Sequence, residues 1–286
     1  MSSSQPGTAI SDQFRAALVG MYLAEFRFGT SSRTSPSFRT LSLGACPPQL
    51  QAQYSADQLV ELVPWLLQNY GQNDSQYAGQ NKVSATRYGA DNTQQAGLLA
   101  WSLEHLIDQH SPQTLLAALS QRLRLEGAEV TQAPSMIALL ERELKAGPQT
   151  TGALTASLLP TLRLQVPELF PIGAALYSFL RVPESYALAV KYAFDRTHSS
   201  AIAALTGLLA GVSGGLSQMP MPWLISWLTA VGASSGLTQL DLTHRNGLVE
   251  LWSRLDAPFC QWMGSPTPRR AGEGQAQLSV MPLPSI

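Results

Sequence analysis

From Ser199 to Leu240 the chain carries no charged side chain. A stretch like this has to be buried, in protein or in lipid. Within it Ala203, Gly207, Gly211 and Gly215 recur every four residues. On a helix that spacing makes one ridge of minimal side chains, which a neighbouring helix can approach closely. Glycine inside a helix costs up to about 1 kcal/mol relative to alanine, so three of them require a packing or binding reason. A lipid span is the poorer account. The apolar run 201–216 is shorter than the roughly 20 residues a span needs, it is rich in Gly and Ser, and Ser217, Gln218, Pro220 and Pro222 interrupt it. We therefore expect a central buried helix over 203–211 and no membrane span.

The rest of the chain has helical rather than alternating periodicity, which predicts an all-α protein. Phe14, Leu18 and Met21 share one face of a first helix that would begin after Ser11 as cap. A second helix is expected after Ser55, kinked at Pro64. NTQQAGLLAWSLEHLI follows, with Asp91 as cap, then SPQTLLAALSQRL capped at Ser111, SMIALLERELK, TGALTASLLPTL, ELFPIGAALYSFLR, and PESYALAVKYAF with Pro183 and Glu184 in its first turn. No fixed-period repeat and no clear linker divide the 286 residues. The organisation read from this is a disordered 1–10, one helical domain over 11–263, and a Pro-, Gly- and Ser-rich disordered tail over 264–286.

Charged residues are 13% of the chain and the formal net charge is -1, which excludes a nucleic-acid surface of the usual basic kind. Cys46 and Cys260 are too few for a disulfide framework or a thiolate metal site. The opening MSSSQPGTAISDQ lacks a basic-then-apolar pattern, and we expect a cytoplasmic protein. Gly211 to Gly215 spell G-x-S-x-G, but a nucleophile elbow needs a strand before Ser213, where a helix is expected here. His105, His110 and His244 read as surface or satisfied histidines. Arg269 and Arg270 are too small a pair for a binding patch.

The run ELFPIGAALYSFLRVPESYALAVKYAF, then SSAIAALTGLLAGVSGG, then MPMPWL resembles the C-terminal third of the ADP-ribosylglycohydrolase family, in order, from Glu168 to Leu224. Near the N-terminus, FRAALVGMYLAEFRFG is similar to that family's Gly-x-x-x-Gly-Asp-x-x-Gly, with Gly20 on the first Gly and Glu25 where the Asp would stand. The resemblance implies an orthogonal multi-helix bundle around two Mg²⁺ ions and hydrolysis of the glycosidic bond joining ADP-ribose to an acceptor. Ile202, Ala203 and Ala204 set the register of the family's Gly-Gly-Asp-x-Asp-Thr motif. It puts His198 and Ser200 at the two Asp positions and Ala201 at the Thr position. Two stretches are similar to the family's Thr-Asp-Asp-Thr motif: ADNTQ, retaining Asp91 and Thr93, and SADQ, retaining Asp57.

From this we expect an ADP-ribosylglycohydrolase-like protein, catalytically impaired or inactive, acting as a binding or scaffold module with no metal cofactor. ADP-ribose or an ADP-ribosylated ligand is the partner chemistry the resemblance implies. The alternative is an active Mg²⁺-dependent hydrolase whose carboxylates come from Glu25, Asp57 or Asp91, and Asp195.

Overall fold

The computed structural model describes residues 6–29, 55–69, 94–125, 132–146 and 158–234. Among these there is no strand, and ten α-helices account for most of the described residues. They are α1 (Pro6–Phe28), α2 (Ala56–Asn69), α3 (Gln94–Ile107), α4 (Leu115–Leu125), α5 (Ala133–Lys145), α6 (Leu158–Gln165), α7 (Phe170–Arg181), α8 (Tyr186–Thr197), α9 (Ser200–Gly214) and α10 (Met221–Ser234). The all-α expectation therefore holds. Two compact units divide the chain, Met1–Leu240 and Asp241–Ile286, and every described residue belongs to the first. Cys46, Asp91, His244, Cys260 and the tail lie outside the described residues.

The central helix is α9. It packs against α1 most extensively, and also against α2, α3, α7 and α8. Every residue from Ala201 to Val212 is buried, which explains why this segment tolerates no charge: a helix surrounded on all sides has no face left for one. Its single polar side chain in that run, Thr206, donates to the Ile202 carbonyl at 2.9 Å and so needs no partner elsewhere. No helix among the described residues is long and apolar enough to cross a membrane.

The ridge accounts for the α1–α9 contact, with one correction. A Cβ added to Gly207 would lie 2.9 Å from the Ala24 Cβ and 3.1 Å from the Tyr186 hydroxyl, with the Gly20 carbonyl oxygen closer still. At Gly211 an added Cβ would meet the Ala16 backbone. Gly215, however, is not part of this contact. It ends α9 with φ 68° and ψ -176°, and nothing lies within 4 Å of a Cβ placed on it. Gly215 is glycine because the backbone turns there, whereas Gly207 and Gly211 are glycine because another helix is too close.

Helix starts differ most from the sequence reading in two places. α1 begins at Pro6 rather than after Ser11, and proline suits a first helical position because its missing N–H has no intrahelical role there. α8 begins at Tyr186 rather than at Pro183. Pro183 and Glu184 form a preceding turn closed by the Ser185 N–H donating to the Val182 carbonyl at 3.3 Å, and Ser185 is extended. The start read after Ser55 and the cap read at Ser111 are present. Ser55 and Gln58 form a reciprocal capping box, and the Ser111 hydroxyl accepts from the Gln113 N–H at 3.3 Å. α2 passes through Pro64 as one helix.

Candidate functional site

The motif positions His198, Ser200 and Ala201 lie at the junction of α8 and α9. α8 ends at Thr197 and α9 starts at Ser200, so only His198 and Ser199 join two helices that pack against each other. Such a short reversal needs one residue in the left-handed region, and His198 occupies it with φ 52° and ψ 29°. Its N–H donates to the Phe194 carbonyl at 2.7 Å, closing the end of α8. The Thr197 hydroxyl donates to the Ala193 carbonyl at 2.7 Å and accepts from the Ser199 N–H at 3.3 Å. The Ser199 hydroxyl in turn accepts from the Ile202 N–H at 3.3 Å, capping α9. The local polar groups are thus engaged in stopping one helix and starting the next.

At the three motif positions the chemistry on offer is an imidazole, a hydroxyl and a methyl. His198 is exposed, Ser200 is half-buried, and Ala201 is buried. The His198 ring stands edge-on to Phe194, with centroids 6.4 Å apart.

α1 brings Glu25 to the same end of the bundle. Gly20 faces Gly207 and Ala16 faces Gly211, so the two helices run antiparallel, four residues forward on one matching four back on the other. Continued, this register sets Glu25 level with the first turn of α9 and Phe28 level with Ser199. The aromatic contacts agree, since Phe28 stacks on Phe194 with centroids 4.6 Å apart. Glu25 is exposed and its charge bears on Tyr22, whose hydroxyl is pushed up to about 12, first by burial and then by that carboxylate.

The other acidic candidates are placed differently. Asp195 is exposed on the last turns of α8. Asp57 is exposed in the first turn of α2, inside the Ser55–Gln58 capping box, where a carboxylate complements the helix dipole. Asp91 lies outside the described residues. Among the described residues no three His, Cys, Asp or Glu side chains gather as one metal ion would require, so Glu25, Asp57, Asp195 and His198 do not converge. Ser213 sits within the last turn of α9 and not after a strand, which removes the nucleophile-elbow reading.

What the sequence reading missed is the aromatic cluster at this junction. Trp223, at the start of α10, meets Phe28 edge-on at 5.8 Å and Tyr186 at 6.3 Å, and the Arg27 guanidinium lies 5.5 Å from its ring centroid. A signal was available. Counted along Gly-x-x-x-Gly-Asp-x-x-Gly from Gly20, Phe28 takes the last glycine position, so a large ring stands where the pattern has no side chain. The same helix pair is tied by Tyr186, whose hydroxyl donates to the Gly20 carbonyl at 2.6 Å.

No curated protein and no solved structure matches the chain. The family model described as ADP-ribosylglycohydrolase matches residues 7–255. That range takes in the Gly20 and Glu25 helix, the central ridge and the α8–α9 junction, on an all-α architecture. The chain belongs to the ADP-ribosylglycohydrolase family.

Proposed function

We propose that this chain is a family member that has lost the dinuclear Mg²⁺ centre, with catalysis absent or impaired, and that it works in the cytoplasm as a binding or scaffold module for ADP-ribose or an ADP-ribosylated ligand. The observation that carries this reading is the composition of the α8–α9 junction. Two Mg²⁺ ions bring four positive charges, which hard anionic oxygens must offset. The motif positions hold His198, Ser200 and Ala201, which supply a nitrogen where Mg²⁺ takes oxygen, an uncharged hydroxyl and no ligand at all. Phe28 and Phe194 add apolar volume beside them. These residues do not fit the ions.

A second reading rests on Glu25, which the helix register sets level with the first turn of α9. In that reading Glu25 and Asp195, with Asp57 or Asp91, serve a rearranged Mg²⁺-dependent hydrolase.

The deciding experiment incubates the full chain with ADP-ribosyl-arginine, with and without Mg²⁺, and follows release of ADP-ribose, alongside a thermal shift with ADP-ribose alone. A shift without turnover is the expected result. Turnover that requires Mg²⁺ would establish the second reading in place of the first. Neither turnover nor shift would leave a helical protein related to the family by descent, with a ligand of another kind.

A further inference from the structure

A groove of about 640 Å³ lies where the start of α4 meets the ends of α5 and α7. Leu116, Leu144 and Leu180 form its apolar walls, and Glu141, Lys145 and Arg181 its charged ones. The charges do not cancel. Lys145 Nζ donates to the Glu141 carboxylate at 3.1 Å, which makes one neutral pair. Arg181, half-buried, has no hydrogen bond or ion pair among the described residues. Its charge bears on the Tyr177 hydroxyl, but a half-buried guanidinium whose donors meet no acceptor among the described residues is a ready site for a planar anion.

The geometry points to a ligand site for a small carboxylate with an apolar body. Arg181 takes the carboxylate, and Leu116, Leu144 and Leu180 cover the hydrocarbon. A groove of this size holds a drug-sized ligand, so a short-chain carboxylate fits with room to spare. The groove adjoins the residue preceding the α8 turn, whereas His198 follows the far end of α8. Twelve helical residues separate them, or about 18 Å at 1.5 Å per residue. It is a second site, and it stands whether or not the family's reaction survives at the α8–α9 junction.

The test titrates the full chain with hexanoate, hexanamide and hexylamine, following the methyl signals of Leu116, Leu144 and Leu180 by NMR. Hexanoate is expected to move these signals and to bind at least about tenfold more tightly than the amide or the amine, the usual margin for a charge-assisted hydrogen bond. Arg181→Gln is expected to remove that margin. Should Arg181→Gln fail to fold, Ala117→Trp provides an independent check, since Ala117 is exposed on the groove wall and a larger ring there fills the groove without disturbing the core. Loss of hexanoate binding in that variant supports the site. Equal binding of hexanoate and hexanamide, preference for hexylamine, unchanged affinity in either variant, or no response to any of the three overturns it.

Discussion

The hydroxyl of Tyr186 reaches across from α8 to donate 2.6 Å to the carbonyl oxygen of Gly20 in the middle of α1. It does so beside Gly207, where a Cβ would stand 3.1 Å from that hydroxyl. One small position on α9 therefore leaves room both for the backbone of α1 and for a tyrosine that fastens α1 to α8.

Gly207→Ala should destabilise the protein by about 1 to 3 kcal/mol, although alanine is the better helix former. Urea unfolding of the parent and variant measures this. A more stable variant would mean that intrinsic propensity outweighs the close approach and that α1 can move aside. Gly215→Ala should also destabilise, but through its left-handed φ of 68° alone, and it should leave the α1–α9 contact unchanged.

Tyr186→Phe removes the bond to Gly20 at almost constant shape and should cost about 1 kcal/mol at neutral pH. The tyrosines also set an alkaline limit. Burial pushes Tyr22 and Tyr177 up to about 12, and pushes Tyr186 up further. Their folded values lie above the unfolded value near 10, so their contribution is fully present below pH 10 and falls as pH rises from there, through about 12 for Tyr22 and Tyr177 and beyond it for Tyr186. Denaturation curves at pH 9 and 11.5 should show the fall. Equal stability at both would mean these hydroxyls ionise as readily folded as unfolded.

At the junction, His198→Gly and Ser199→Ala should have opposite effects. Glycine relieves the left-handed strain at 198 but forfeits the edge contact with Phe194, and a net gain of about 0.5 kcal/mol is expected. Ser199→Ala removes the cap on α9 and should cost about 1 kcal/mol. A large loss on His198→Gly would assign that side chain a structural role beyond its backbone position.

A double-mutant cycle on Phe28→Ala and Phe194→Ala should give a coupling of about 0.5 to 1.5 kcal/mol, the range for stacked aromatic pairs. No coupling would detach the aromatic cluster from the stability of the junction.

For metal, we expect the parent to bind Mg²⁺ no more tightly than millimolar, because the side chains at 198, 200 and 201 bring no negative charge to offset its own. The triple variant His198→Asp, Ser200→Asp, Ala201→Thr should raise the affinity, and should do so further with Phe28→Gly, which removes the ring standing at the last glycine position. Calorimetric titration of the three proteins compares them directly. Tight binding by the parent would overturn the loss of the centre, and no gain in the variants would overturn the register assigned to RTHSSA.

The sequence by itself determined whatever depends on near neighbours along the chain. The first part of the uncharged run, with its small residues every four positions, announced the helix that is buried from Ala201 to Val212, whereas the second part forms α10, which is uncharged yet leaves Met221 and Ile225 exposed. The capping oxygens of Ser55 and Ser111 marked helix starts, because a cap acts within three residues. Family membership was legible too, in the ordered motifs from Glu168 to Leu224 and around Gly20. Only the tertiary structure decided that Gly207 and Gly211 are small for α1 while Gly215 is small for its φ, since the same residue at the same spacing answers two different constraints. It alone set the α1–α9 register that lines Glu25 up with the first turn of α9, assembled Phe28, Phe194 and Trp223 from three separate helices, and left Asp57 in the first turn of α2. These are relations between residues far apart in sequence. They are fixed by which helix faces interlock, and that depends on the packing of both partners at once rather than on any one segment.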